Sequence, residues 1–169
     1  MATRIYDYVG PEHVRTSARG SAPGTVIRSP EDLVHWCQAH RAERENDLLP
    51  ATFVVRRDGY LYLASRRSEH VACASGDAVL GAGEIFFSSD DTPRVVAVSN
   101  LSTGYCPEPE CWPAIRDALE GAGIPHPREF SSAFIFRRCP NCFERNLIKD
   151  DVFVCDICDT ALPRTWNFA

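Results

Sequence analysis

Cys139-Pro140-Asn141-Cys142 and Cys155-Asp156-Ile157-Cys158 are two CxxC turns with 12 residues between them. No other feature of the chain restricts its fold so tightly. Each turn presents two thiolates on one side, and two turns at the ends of a hairpin complete a tetrahedron around zinc at ~2.3 Å from each sulfur. The intervening stretch from Asn146 to Val154 reads as that hairpin, with Lys149-Asp150-Asp151 near its turn. A redox dithiol pair or two disulfides would use the same residues, but the doubled motif at this spacing points to metal. With Cys139, Cys142, Cys155 and Cys158 all supplied by protein, no position is open for water, so the expected zinc is structural and folds the segment.

The segment resembles a four-cysteine zinc ribbon, expected over residues 131–169 with a tail anchored by Leu162, Trp166 and Phe168. Four thiolates around one divalent ion leave excess negative charge. Arg137, Arg138, Arg145 and Lys149, close in sequence, are expected to offset it. The same arginines flank Phe136 and Phe143, a weaker pointer to nucleic acid.

The remaining chain is long enough for one α+β domain. It has 169 residues, 44% hydrophobic and 24% charged, the composition of a soluble globular protein. A net charge of −5 excludes a protein built as a whole to coat a phosphate backbone. No apolar run approaches the ~20 residues that span a bilayer, so no membrane partner is expected. Met1 to Tyr8 has no apolar leader core, and eight cysteines without such a leader imply metal and buried thiols in a reducing, cytoplasmic setting.

Residues 1–24 read as a flexible N-terminal arm rich in Ser, Ala, Arg, Gly and Pro. Ser29-Pro30-Glu31-Asp32 starts a helix by capping, proline at the first position and acids at the positive end of the dipole. Leu33, Trp36, Cys37 and His40 give it one apolar face, and it should end before Pro50. Residues 52–55 and 60–63 form a hairpin across Asp58-Gly59, expected to be a primed turn, and residues 82–87 pair with 95–99. A second helix follows Pro113, and Phe130 to Phe136 reads as a strand entering the first CxxC turn. The expected architecture is an antiparallel sheet with two helices over 25–130, followed by the ribbon.

Residues 52–107 carry a further pattern: Thr52-Phe53-Val54-Val55, Tyr60-Leu61-Tyr62-Leu63, His70-Val71-Ala72-Cys73, Ala82-Gly83-Glu84, Asn100, Ser102 and Tyr105-Cys106-Pro107. This resembles the central domain of plant IQ-motif calmodulin-binding proteins and of related bacterial toxin or effector modules. In that group a histidine opens H-S-S-F/L, an A-G-E element follows about twelve residues later, and S-G-H-Y-x-P comes after. Both serines of the first element are absent here, and Gly104 stands where the family has its second histidine. No IQ-type helix is visible, so calmodulin binding does not carry over. Some effectors of this kind transfer ADP-ribose from NAD. That resemblance implies Glu84 as the carboxylate near the reacting ribose, His70 and Tyr105 as further catalytic candidates holding NAD, and Ser102 as a cofactor-binding residue. Each also has a plainer role open to it: Glu84 as an exposed strand carboxylate, His70 as a cap, Tyr105 packed on prolines.

Cys106 and Cys111 invite a second metal, but the intervening prolines hold the loop extended and separate the thiols. Cys37 and His40 lie one helical turn apart without two further ligands, and Cys37 reads as core. A deaminase-type zinc site fails, because Ala82 stands where its histidine belongs. The leading expectation is a zinc-binding, non-catalytic interaction or adaptor protein of bacterial type with a protein partner. The alternative is an NAD-dependent ADP-ribosyltransferase-like effector, and the weaker alternative is a nucleic-acid binder acting through the ribbon.

Overall fold

The computed structural model describes residues 2–169. Its elements are α1 (Glu12–Arg19), β1 (Thr25–Ile27), α2 (Pro30–Ala39), β2 (Leu48–Arg56), β3 (Leu61–Ser65), α3 (His70–Cys73), β4 (Val79–Ser88), β5 (Val95–Val98), α4 (Trp112–Gly121), β6 (Phe136–Arg138) and β7 (Arg145–Leu147). The first five strands form one antiparallel sheet in the order β1-β3-β2-β4-β5, and β6 pairs with β7. The expected α+β class holds, with four helices rather than two. Among the described residues no helix is long and apolar enough to cross a membrane.

Alternation along the central strands decides which side of the sheet holds what. Leu49, Ala51, Phe53 and Val55 of β2 face the same way as Ile85 and Phe87 of β4 and Leu61 and Leu63 of β3, and all are buried. The amphipathic faces of α2 (Leu33, Trp36, Cys37) and α4 (Ile115, Leu119) belong to the same apolar core. The opposite face carries Val54 and Ala82 under α3, then Thr52, Glu84 and Phe86 toward β5.

Several local expectations need correction. The 1–24 segment is no flexible arm. Tyr6 pairs its backbone with Val79, is buried in the core, and is followed by the helix α1, whose Ala18 is also buried. Its apolar anchors, Tyr6 with Tyr8, Val14 and Ala18, are scattered and follow no single period. The primed turn sits at Asn46-Asp47, both at positive φ, with Glu45 and Leu48 exchanging backbone hydrogen bonds. Asp58-Gly59 instead belongs to a three-residue loop in which only Gly59 has positive φ, and Asp58 accepts from the Tyr60 amide and the Tyr62 hydroxyl. The helix α2 does end before Pro50, at Ala39, and Pro50 itself lies inside β2. The β3 register begins at Ala51, so that side of the strand has no partner to lose at Pro50. Residues 130–135 are not a strand apart from the Ser99–Ser132 bridge, and regular pairing begins at Phe136.

Candidate metal centre and the residues around it

The ribbon is built from two copies of one turn. In the first, the Phe143 amide donates to the Cys139 carbonyl and the Cys139 amide to the Glu144 carbonyl. In the second, the Asp159 amide donates to Cys155 and the Cys155 amide to Thr160. Phe143 and Asp159 both adopt positive φ, at 63° and 57°. The repeated geometry folds each CxxC back on itself so that both sulfurs point inward. The connecting hairpin turns at Asp150-Asp151, also at positive φ, with Lys149 and Val152 paired across it.

The four cysteine sulfurs lie within 4.8 Å of one another. Cys139 and Cys158 approach to 3.5 Å, as do Cys142 and Cys155. A tetrahedron with ~2.3 Å bonds has edges of about 3.8 Å, so the donor set is compatible with one structural zinc. All eight cysteines are free. No other cluster of three or more metal-ligating side chains occurs among the described residues.

The expected charge compensation takes a different form. None of Arg137, Arg138, Arg145 or Lys149 donates to a sulfur. The amides of Asn141 and Cys142 point at Cys139 Sγ, and that of Ile157 at Cys155 Sγ. The side-chain amides of Asn146 and Asn141 reach Cys155 and Cys158, and the Thr160 hydroxyl also contacts Cys158. The contacts to Cys158, led by that of Thr160 and followed by Asn141, lower its thiol below the ordinary cysteine range. The turn geometry itself supplies several of these donors, which is why cations near in sequence are not needed for the task.

Arg137 and Arg145 instead attach the ribbon to the body, while Arg138 braces the ribbon itself. Arg137 is enclosed, pairing with Glu108 at 2.7 Å and donating to the Arg164 and Phe136 carbonyls. Arg145 donates to the Thr103 carbonyl. Arg138 donates to the Phe143 carbonyl and lies over the Phe168 ring. Asn167 brackets the backbone of Arg138 with both atoms of its amide, extending the small sheet. The expected tail anchor divides in two. Leu162 packs among the cysteines, and Trp166 meets Tyr6 edge-on at 5.6 Å while donating to the Cys106 carbonyl.

The residues singled out by the central pattern hold backbone segments together. His70 Nε2 lies 2.9 Å from the Gly83 carbonyl, and desolvation lowers the His70 pKa, so the neutral ring donates there. A Cβ at Gly83 would stand 1.8 Å from the Ser99 carbonyl, so only glycine lets the chain cross here. That crossing positions Asn100, which donates to the Pro107 and Phe134 carbonyls and accepts from the Phe134 amide. Ser102 is buried, its hydroxyl without a partner and its carbonyl accepting from Cys106. The buried Tyr105 donates its hydroxyl to the Asp77 carbonyl. Glu84 alone of the four candidates lines a groove, and that groove contains none of His70, Ser102 or Tyr105.

Cys106 and Cys111 are each buried, with burial pushing both thiols up to about 12, and Cys73 likewise. Cys37 rises to about 11. Such thiols stay protonated at neutral pH and are poor nucleophiles. His40 stacks on Trp36 at 4.0 Å and turns Nδ1 to its carbonyl, rather than joining Cys37 as a ligand.

No family model matches the chain, no curated protein matches it, and no solved structure matches it.

Proposed function

We propose that this chain is a zinc-binding, non-catalytic interaction protein of bacterial type, with the sheet body as scaffold and the ribbon as the surface a protein partner reads. The observation that carries this reading is Phe143. It is 66% exposed and sits at positive φ, in the position whose counterpart in the second turn is Asp159. A bulky L-residue in that conformation costs about 1 kcal/mol, and Gly, Asn or Asp would relieve it. Folding the ribbon gives no reason for an exposed phenylalanine there, whereas a docking surface does. Ile157, 69% exposed, and the exposed Val152 and Val154 add apolar area on the same small module.

Two other readings draw less support. The arginines offered for nucleic acid are engaged with Glu108, Thr103 and Phe143. For the NAD-dependent transferase, the groove at Glu84 measures 110 Å³, below the roughly 300 Å³ at which small-molecule sites begin. Buried thiols held protonated accord with a reducing cytoplasm.

The test compares the zinc-loaded protein with a Phe143→Asn, Ile157→Ser variant of equal zinc content, as baits in cells of the source organism. A protein recovered in near-stoichiometric amount by the parent and lost with the variant supports the reading. Identical recovery by both, or heat on titration with millimolar NAD that Glu84→Ala abolishes, overturns it.

A further inference from the structure

Glu84 lies on the sheet face opposite α2 and α4, in a groove walled by Phe86, Ala97 and Phe134 and edged by Ser99, Ser131 and Ser132. Its surroundings are mainly apolar, and it is only partly exposed. Yet among the described residues its carboxylate has neither an ion-pair partner nor a hydrogen-bond donor. Its cross-strand neighbour Thr52 could have supplied one, but that hydroxyl turns away to the Arg66 and Ser68 carbonyls. No lysine, arginine or histidine lines the groove. A carboxylate held this way loses part of its hydration without gaining a charge partner, an arrangement that favours an incoming cation.

We propose that this groove is a slot for one arginine side chain of a protein partner. The volume of 110 Å³ admits a side-chain head and excludes a whole cofactor. The single carboxylate rejects phosphate-bearing ligands. Two phenylalanine rings beside a carboxylate suit a planar guanidinium, which binds aromatic faces and carboxylate oxygens together, better than a strongly hydrated ammonium. Ser99, Ser131 and Ser132 edge the slot. Two of them already accept a backbone amide, Ser131 from Val98 and Ser99 from Leu101, which fixes their oxygens in place. The slot shares no residue with the exposed apolar side chains of the ribbon, so the two surfaces are tested separately.

The experiment is a titration of the zinc-loaded, isotope-labelled full chain with N-acetyl-arginine methylamide, followed by amide NMR shifts. The lysine and norleucine analogues serve as comparators. Saturable shifts confined to residues 84–86, 97–99 and 131–134 are expected, with no saturable response to norleucine. Glu84→Gln, whose spectrum elsewhere should match the parent, should weaken binding about tenfold through loss of a charge-assisted pair. Absence of saturable shifts, equal affinity in Glu84→Gln, or a lysine analogue that binds as tightly as the arginine one would each overturn the assignment.

Discussion

The sheet body and the ribbon reach order by opposite means. The body buries aromatic and aliphatic side chains on both faces of its central strands and has no need of a ligand. Around its four sulfurs the ribbon has a buried cluster of only Cys139, Cys155 and Leu162, and Phe143, Val152, Val154 and Ile157 lie outside. Its turns are held by backbone geometry aimed at four sulfurs. A core of that size cannot offset the entropy of ordering the segment, so its fold depends on what the sulfurs hold. The difference teaches where sequence variation should be tolerated. Body substitutions act through packing volume, while ribbon surface substitutions should leave the fold intact and register in binding, with a stability change only where a positive φ is relieved.

Removing metal should break the comparison most forcefully. Structural zinc contributes on the order of 10 kcal/mol or more in small modules. Chelation, or Cys155→Ser, should therefore collapse the NMR signals of residues 136–162 while β2, β3 and β4 keep theirs. A body that unfolds with the ribbon would show the two to be one cooperative unit. The joint between them comes next. Arg137 and Glu108 are 5% and 12% exposed, so Arg137→Met strands a buried carboxylate and should cost about 3–5 kcal/mol. Adding Glu108→Leu should recover much of that loss, as read by denaturant melts. Within the body, Gly83→Ala drives a methyl into the Ser99 carbonyl and should cost at least ~2 kcal/mol, without changing zinc content. In the ribbon, Phe143→Asn should raise stability by about 1 kcal/mol, seen as tighter zinc retention against a chelator.

The smallest effect concerns pH. The folded His70 pKa lies below the unfolded value near 6.5 because burial disfavours the charged ring. The unfolded chain then binds more protons, so this contribution is complete above the unfolded value and is lost as pH falls toward the folded one. His70→Gln keeps an N–H for Gly83 and should flatten the stability slope between neutral and mildly acidic pH, relative to the parent.

Much of the body was readable because its signals are local and repeated. Ser29 does cap α2, its side chain accepting from Asp32, and both strand pairs appear where alternation places them. The four-cysteine cluster was readable because metal geometry ties residue type to spacing. What escaped the sequence are contacts between distant, unpatterned residues: Tyr6 with Val79, Asn100 with Phe134, Arg137 with Glu108. The primed turn moved from Asp58-Gly59 to Asn46-Asp47 for a related reason. Both dipeptides tolerate positive φ, and strand register decided between them. The resemblance over residues 52–107 directed attention to His70, Gly83, Asn100 and Tyr105, which here hold neighbouring segments in place.

The contact between Tyr6 and Trp166 bears on the order of events during synthesis. Tyr6 leaves the ribosome well before Trp166, so the pair closes a long loop. Until Phe134 and then Trp166 emerge, the nascent body lacks Phe134 against Asn100 and the indole against Tyr6. The five strands can pair early, but the seat of the ribbon stays exposed until the ribbon residues have emerged. Docking of the tail comes after pairing of the strands, and the loading of the cysteines sets how long that unfinished surface remains open to other chains.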